Sequence, residues 1–414
     1  MQMNRRFFLH KGALAIAGTT AIPSFLVRSI LAETAAAPNR RLVVIFQRGA
    51  ADGLNIVVPY KEKNYYSMRP SIAIPQNQVV DLDGFFGLHP SLSGFKPLYD
   101  QGHLAIVHAV GSPDMSRSHF DAQDYMESGT PGLKSTQDGW LNRALQAEDL
   151  HHRCDHSPFR AVSLGADVPR TLAGTVPAIA LSNVNTFAVG GRGPQPSPAA
   201  NAFEAMYGDS GDRIFHSAGE ETFEAVKMLR TANPAQYTPA AGAEYPNSEF
   251  GNNMKQIAQL LKANLGVEAA FTDVSGWDTH QNQGSVNGQL SNRLRDFSDS
   301  IAAFWRDLGD SAGNVTLVTM SEFGRTAREN GTGGTDHGHA NAMFVLGGEV
   351  KGGKVYGKWP GLNNDQLNEG RDLALTTDFR EVLGEVVSRT LGASDLEVVF
   401  PGARLAPNNF LRLV

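Results

Sequence analysis

Short, mainly apolar runs alternate along this chain with longer stretches of helical period. Residues 41–46 (RLVVIF), 104–110 (LAIVHAV), 160–164, 178–181, 267–274, 315–320 and 342–346 are brief, rich in β-branched residues and bounded by turn formers, and read as buried strands. Helical spacing marks residues from about 118 to 128, 203 to 229, 252 to 265 and 290 to 308, and a further helix capped by Asp378 and running to about Arg389. Residues 189–199, rich in Gly and Pro, predict a surface loop, and residues 231–248, rich in Pro and Ala, a loop or seam. No fixed-period repeat is visible. Strands that alternate with helices predict an α/β fold: a mostly parallel central sheet with helices on both faces.

The first residues set the compartment. Arg5-Arg6 is followed by Phe7, Phe8 and Leu9, a weakly apolar stretch from Gly12 to Ile22, and small residues Ala35-Ala36-Ala37 before Pro38. This is the layout of a twin-arginine export signal over residues 1–37, read by the twin-arginine translocase, and it predicts a periplasmic or secreted protein. A membrane span needs about 20 consecutive apolar residues. This run is interrupted by Pro23 and Arg28, so no stable span is expected once the signal is cut. Residues 38–414 are then a single domain, with a helical and loop-rich insertion at about 185–250.

The full chain carries a net charge of −6, and residues 1–37 hold four cationic side chains against Glu33, which leaves −9 on the mature part. An acidic chain of this kind is a poor nucleic-acid binder. The one cysteine, Cys154, rules out an intramolecular disulfide, so stability rests on the core. It sits in His151-His152-Arg153-Cys154-Asp155-His156, which reads as a solvated loop.

Candidate chemistry follows the strand ends. Asp52 comes after the first strand, Ser116 and Ser118 after the second, Asp278 and His280 after residues 267–274, and Glu322 directly after residues 315–320. Ahead of the last strand stand Asp336, His337 and His339. In parallel sheets ligands bind beyond the carboxyl ends of the strands. Imidazole mixed with carboxylate is the donor set that zinc and similar divalent ions take. Asp52, Asp278, His280, Glu322, Asp336, His337 and His339 are therefore the candidate metal holders.

The pieces RGAADGLN, SRSHF, WDTH, SEFGR and GGTDHGHANAMFVLGG behind a twin-arginine signal resemble a bacterial family of exported proteins with no settled function. More distantly, that pattern resembles the alkaline phosphatase and sulfatase superfamily. The resemblance implies an alkaline phosphatase-like fold, with Asp52 on one metal, Asp278 and His280 on another, and a final ligand at His339. It also implies a hydroxyl nucleophile at Ser118 or, failing that, Ser116. Phe323 stands where the pattern has a ligand histidine, so Asp336 and His337 are extra candidates and the site holds one ion or two. No cysteine occupies the nucleophile position, which disfavours a formylglycine-type sulfatase.

A metal would lower the pKa of a weak hydroxyl nucleophile and clamp the transferring oxyanion. A helix N-terminus at Ser118 adds backbone donors for phosphate or sulfate, and Arg117 and Arg48 offer forked donors to the same anion. Simple N-capping is the competing account of both serines, and an Asp-Gly turn that of Asp52. His119 and Asp121 are partners of a ligand, ligands themselves, or ordinary polar residues. Arg325 and Arg328 read as surface ion-pair partners. The resulting expectation is a metal-dependent hydrolase of phosphate or sulfate esters, with zinc first and calcium, magnesium or manganese as alternatives. The substrate is a small anionic ester or a polysaccharide. The rival is a non-catalytic protein of the same fold that binds a cell-surface polymer or a partner protein.

Overall fold

The computed structural model describes residues 40–149, 156–185, 225–226, 228–229 and 236–414. The expected export signal, the Cys154 cluster apart from His156, and most of the expected insertion and of the expected helix at 203–229 lie outside them.

Twelve strands are described: β1 Arg41–Arg48, β2 Val57–Val58, β3 Val80–Asp81, β4 Gly87–Leu88, β5 Leu104–Gly111, β6 Ala161–Leu164, β7 Ile179–Leu181, β8 Ala269–Ser275, β9 Val315–Met320, β10 Asn341–Gly347, β11 Lys354–Tyr356 and β12 Thr377–Asp378. Nine form one sheet in the order β11-β5-β10-β9-β1-β8-β6-β7, with β12 also on β5. β2, β4 and β3 form a small antiparallel sheet of their own. In the large sheet β10 runs antiparallel to both of its neighbours, and every other pairing is parallel. The mostly parallel sheet expected from the sequence is present, with one reversed strand that the apolar runs do not announce.

Both faces of the sheet are buried, as continuous apolar strands require. Along β1, Val43 and Ile45 pack on one side with the helices Glu249–Lys262 and Gln289–Leu308. Leu42, Val44 and Phe46 pack on the other with Trp140–Asp149 and Phe379–Thr390. Three helix starts are set by side-chain caps: Ser118 accepts from Asp121 N, Ser248 from Gly251 N and Asp378 from Arg380 N. The Ser248 cap starts its helix three residues before the apolar spacing does. Trp140–Asp149 and the small sheet were not foreseen. The helix is short, and two-residue strands carry no usable period. Among the described residues no helix is long and apolar enough to cross a membrane.

His108 on β5 is buried with its Nε2 3.1 Å from Val57 O and its Nδ1 accepting from Ala109 N at 2.8 Å. Burial, only partly offset by the bond to Val57, pushes its pKa down to about 4. A folded-state value below the unfolded one means that stability present above the unfolded pKa is lost as pH falls. Here the window runs from about 6.5 to 4, and the change is worth up to about 3 kcal/mol. His108→Gln keeps a donor and an acceptor without the titration. Urea midpoints should therefore fall more steeply for the wild type than for the variant between pH 7 and pH 4.5; parallel curves would refute the assignment.

Candidate metal centre

The carboxyl edge of the sheet gathers five segments, because β10 enters the sheet where its neighbours leave it. The loop after β1 is held against the one after β9: Glu322 Oε1 accepts from Gly49 N at 2.8 Å, and Ser321 Oγ accepts from Ala51 N at 3.1 Å while donating to Gln47 O at 2.7 Å. Gly49 has φ +115°, and a Cβ there would meet the backbone N of Asp278 at 2.8 Å, so only glycine lets the loops after β1 and β8 approach. Residues 321–340, which join β9 to β10, fold back on themselves through Gly324 N to His339 O (2.7 Å), Gly338 N to Gly324 O (2.8 Å) and Thr326 N to Asp336 O (2.9 Å). A Cβ on Gly324 would strike Ala340 O at 1.9 Å, which explains that glycine in the same way.

His119, Asp278 and His337 each offer a ligand atom, all within 4.8 Å of one another. His119 Nε2 lies 3.0 Å from His337 Nε2 and 3.6 Å from Asp278 Oδ2. His280 adds a fourth donor, with Nε2 2.9 Å from His337 Nε2 and 3.0 Å from Asp278 Oδ1. The other ring nitrogen of each imidazole has an acceptor. His119 Nδ1 faces Glu322 Oε1 at 2.8 Å, His280 Nδ1 faces Asp336 Oδ1 at 3.1 Å, and His337 Nδ1 faces the Arg117 carbonyl at 2.8 Å. Three acceptors at Nδ1 assign the protons there and leave the Nε2 lone pairs pointing at one another. Lone pairs about 3 Å apart repel unless a cation or a shared proton lies between them. Ligands about 2 Å from one ion sit roughly 3 Å apart. The donor set fits a divalent metal.

Charge and burial act differently on the members of the cluster. The bond to Glu322 raises the His119 pKa, whereas burial lowers that of His337. Glu322 is pushed up by burial, but its bonds with His119, Gln123 and Gly49 outweigh this and hold it low. Asp278 is likewise raised by burial and lowered overall by Arg325, whose Nη1 donates to Oδ1 at 2.6 Å, and by the imidazoles. Asp336 is lowered by donors from Asn330 and His280.

Of the seven expected metal holders, Asp278, His280 and His337 meet here, joined by His119, which the sequence had left ambiguous. Glu322 and Asp336 back the imidazoles instead. Asp52 is fully buried elsewhere in the network, its two oxygens taken by Arg69 at 2.7 and 2.9 Å and by Gln283 Nε2 at 2.6 Å. Arg69 spends its remaining donors on Asn55 Oδ1, Thr326 O and Ala327 O. Gln283 then accepts from Thr279 and Thr335, and Thr335 accepts from Arg325, so a chain of hydrogen bonds links Asp52 to Asp278. The His339 ring is buried and makes no described hydrogen bond to the cluster.

Ser118 is exposed and caps the helix His119–Ser128, and Ser116 Oγ accepts from Ser118 N at 3.2 Å. Arg117 is paired with Glu369 and Asp372, and Arg48 with Glu127 and Asp273. Arg48 is engaged through Nε and Nη1, Arg117 only through Nη2, and the buried Arg117 Nε has no partner. Asp121 pairs with Lys134. Arg325, read from the sequence as a surface residue, is fully buried. Phe323 packs its ring 5.0 Å from that of His119 and 5.1 Å from that of His337. Nothing in the pattern of residues marks Arg69 or Gln283, since one isolated arginine and one amide in polar loops carry no period or motif.

A buried carboxylate stripped of its cation is costly. Arg69→Met should lower unfolding stability by about 3–5 kcal/mol, and adding Asp52→Asn should recover part of it. Chemical denaturation of both variants checks this, and strictly additive losses would contradict the pairing.

A family model described as "Protein of unknown function (DUF1501)" matches residues 39–399. Comparison with curated proteins gives no match. Among solved structures, the C-terminal periplasmic domain of EcEptC from Escherichia coli, in complex with Zn, aligns at TM-score 0.33 and 12% identity over 74% of this chain and 72% of that one. The PsFucS1 sulfatase from Pseudoalteromonas sp. aligns at TM-score 0.39 and 13% identity, over 95% and 78% respectively. A phosphonate monoester hydrolase of Agrobacterium radiobacter aligns at 0.34 and 9%, over 90% and 79%.

Proposed function

We propose, for a chain that belongs to the DUF1501 family of proteins of unknown function, that it is an exported, metal-dependent hydrolase of phosphate or sulfate esters. The observation that carries the reading is the convergence of the Nε2 atoms of His119, His280 and His337 with Asp278, each imidazole tied at Nδ1 to an acceptor. Zinc suits three imidazoles and a carboxylate best. Bound there and able to take a fifth ligand, it would act as a Lewis acid on the ester oxygens and lower the pKa of a coordinated hydroxyl or water.

The chain's own residues supply the rest. Glu322, Asp336 and the Arg117 carbonyl fix the tautomer and plane of each ring, which raises ligand basicity. Arg325 holds Asp278 in place. The helix His119–Ser128 begins at the cluster's own His119, so the positive end of its dipole would favour an anion nearby. Ser118, at that terminus and exposed, is the hydroxyl we assign to attack or position the ester. Arg69 occupies the Asp52 carboxylate, which supports a single ion over a pair. The twin-arginine pattern of residues 1–37 supports delivery of the folded protein by the translocase to the periplasm or beyond, and the net acidity speaks against nucleic-acid substrates.

One observation favours a non-catalytic binder of a polymer or partner protein: the Ser118 hydroxyl is already engaged as a helix cap, at 3.5 Å from Asp121 N. Metal content and turnover separate the readings. The purified protein should carry about one zinc per chain, lost in His337→Ala and in Asp278→Ala, and retained in Ser118→Ala, which should lose turnover of aryl phosphates and sulfates. Metal absent from the wild type would end the hydrolase reading, whereas undiminished turnover in Ser118→Ala would remove only the serine. Glu322→Gln keeps the shape and removes the charge behind His119. It should weaken zinc binding by about 10–100-fold in a chelator competition.

A further inference from the structure

Glu322, the carboxylate behind His119, is fully buried, and among the described residues its ion-pair partner is that imidazole, with no lysine or arginine beside it. A buried carboxylate without a cation is costly unless hydrogen bonds hold it. Oε1 carries them. It faces His119 Nδ1 at 2.8 Å and accepts from Gly49 N at 2.8 Å and from Gln123 Nε2 at 2.9 Å. Gln123 stands four residues after His119 in the helix His119–Ser128, so both side chains leave one face and meet the same oxygen. The other end of the amide is fixed as well. Gln123 Oε1 accepts from Arg48 Nη1 at 3.0 Å, and Arg48 is anchored by Glu127 and Asp273. An amide turned over would set its oxygen against the carboxylate and its NH2 against the guanidinium, so Arg48 leaves it one orientation. The arginine that the sequence offered to a substrate anion belongs instead to a chain that runs from Arg48 through Gln123 and Glu322 to His119.

We propose that Gln123 is a positioning residue of the metal centre: oriented by Arg48, it holds Glu322 against His119 and so sets how strongly His119 binds the ion. This rests on the metal-dependent reading above. A neutral amide does here what a cation would not. A guanidinium in direct contact with Glu322 would form the stronger, charge-assisted bond and draw the carboxylate away from the ring. The NH2 of Gln123 fixes the oxygen and leaves its charge directed at His119 Nδ1, which raises the basicity of Nε2. Arg48, one residue further back, orders the amide without neutralising the acid. The other fixed donor, Gly49 N, is main chain, so Gln123 is the side chain through which the hold on Glu322 is adjusted.

Two variants test this without relying on turnover. Gln123→Met keeps the length of the side chain without the amide, and Gln123→Asn keeps the amide without the reach. In chelator competition on the full chain, both should bind zinc about tenfold more weakly than the wild type. With cobalt in place of zinc, the visible spectrum reports the ligand field, and it should shift in both variants, which a loss of folding stability alone would not cause. The double variant Gln123→Met, Glu322→Gln decides the route. If Gln123 acts through Glu322, the double variant should bind zinc as Glu322→Gln does alone. Losses that multiply in the double variant overturn the proposal, because Gln123 then acts by another path. Wild-type zinc affinity and an unshifted cobalt spectrum in both single variants also overturn it, and leave the metal reading standing. A wild type that binds neither zinc nor cobalt overturns both.

Discussion

Strand direction is the constraint on which the arrangement of this molecule depends. In a sheet of parallel strands every strand ends on the same edge, and each loop leaving that edge is brought beside loops that are far away in the chain. Asp52, His119, Asp278 and Glu322 all leave the sheet in this way. His337 reaches the same edge by the opposite logic, because β10 is the one strand that runs backwards, and the residues before it lie where those after its neighbours lie. Had β10 run with the rest, its preceding loop would have been at the far edge, and no cluster would exist.

The cluster is ordered mainly through what surrounds it. Three imidazoles are held from behind by two carboxylates and a carbonyl, two of the three rings lie against Phe323, and Asp278 is pinned by a buried arginine. These contacts fix the rings before any ligand arrives, which is the purpose of outer partners around metal ligands. The Arg69–Asp52 pair extends that order inward through Gln283 and two threonines.

Much of the fold was legible because strands buried on both faces read as mainly apolar runs, as at β1, β5, β8, β9 and β10. Their polar termini made the site's segments legible as well. The reversal of β10 was not, since an apolar run looks the same in either direction. Nor was the division of labour among the acids. Asp278 and Glu322 both follow strands directly, and only geometry shows that one faces the ring Nε2 atoms and the other an Nδ1. Arg325 appeared ordinary because an arginine after a strand is usually solvated; its burial depends on Thr335, ten residues away, and on Asp278, from another loop. His119 was hidden directly after two serines that flank and cap its helix.

The connection between β9 and β10 joins two strands that are neighbours in the sheet, so residues 321–340 form a single excursion out from the edge and back. Glu322, Phe323, Arg325, Asp336 and His337 all travel on it. Such an excursion can be shortened or exchanged in one genetic event without rerouting any crossover, so the scaffold would outlive the loss of its chemistry. Descendants of this chain that kept the sheet but carried a trimmed hairpin at this point would lack the cluster, and a complete hairpin would distinguish the members that still hold it together.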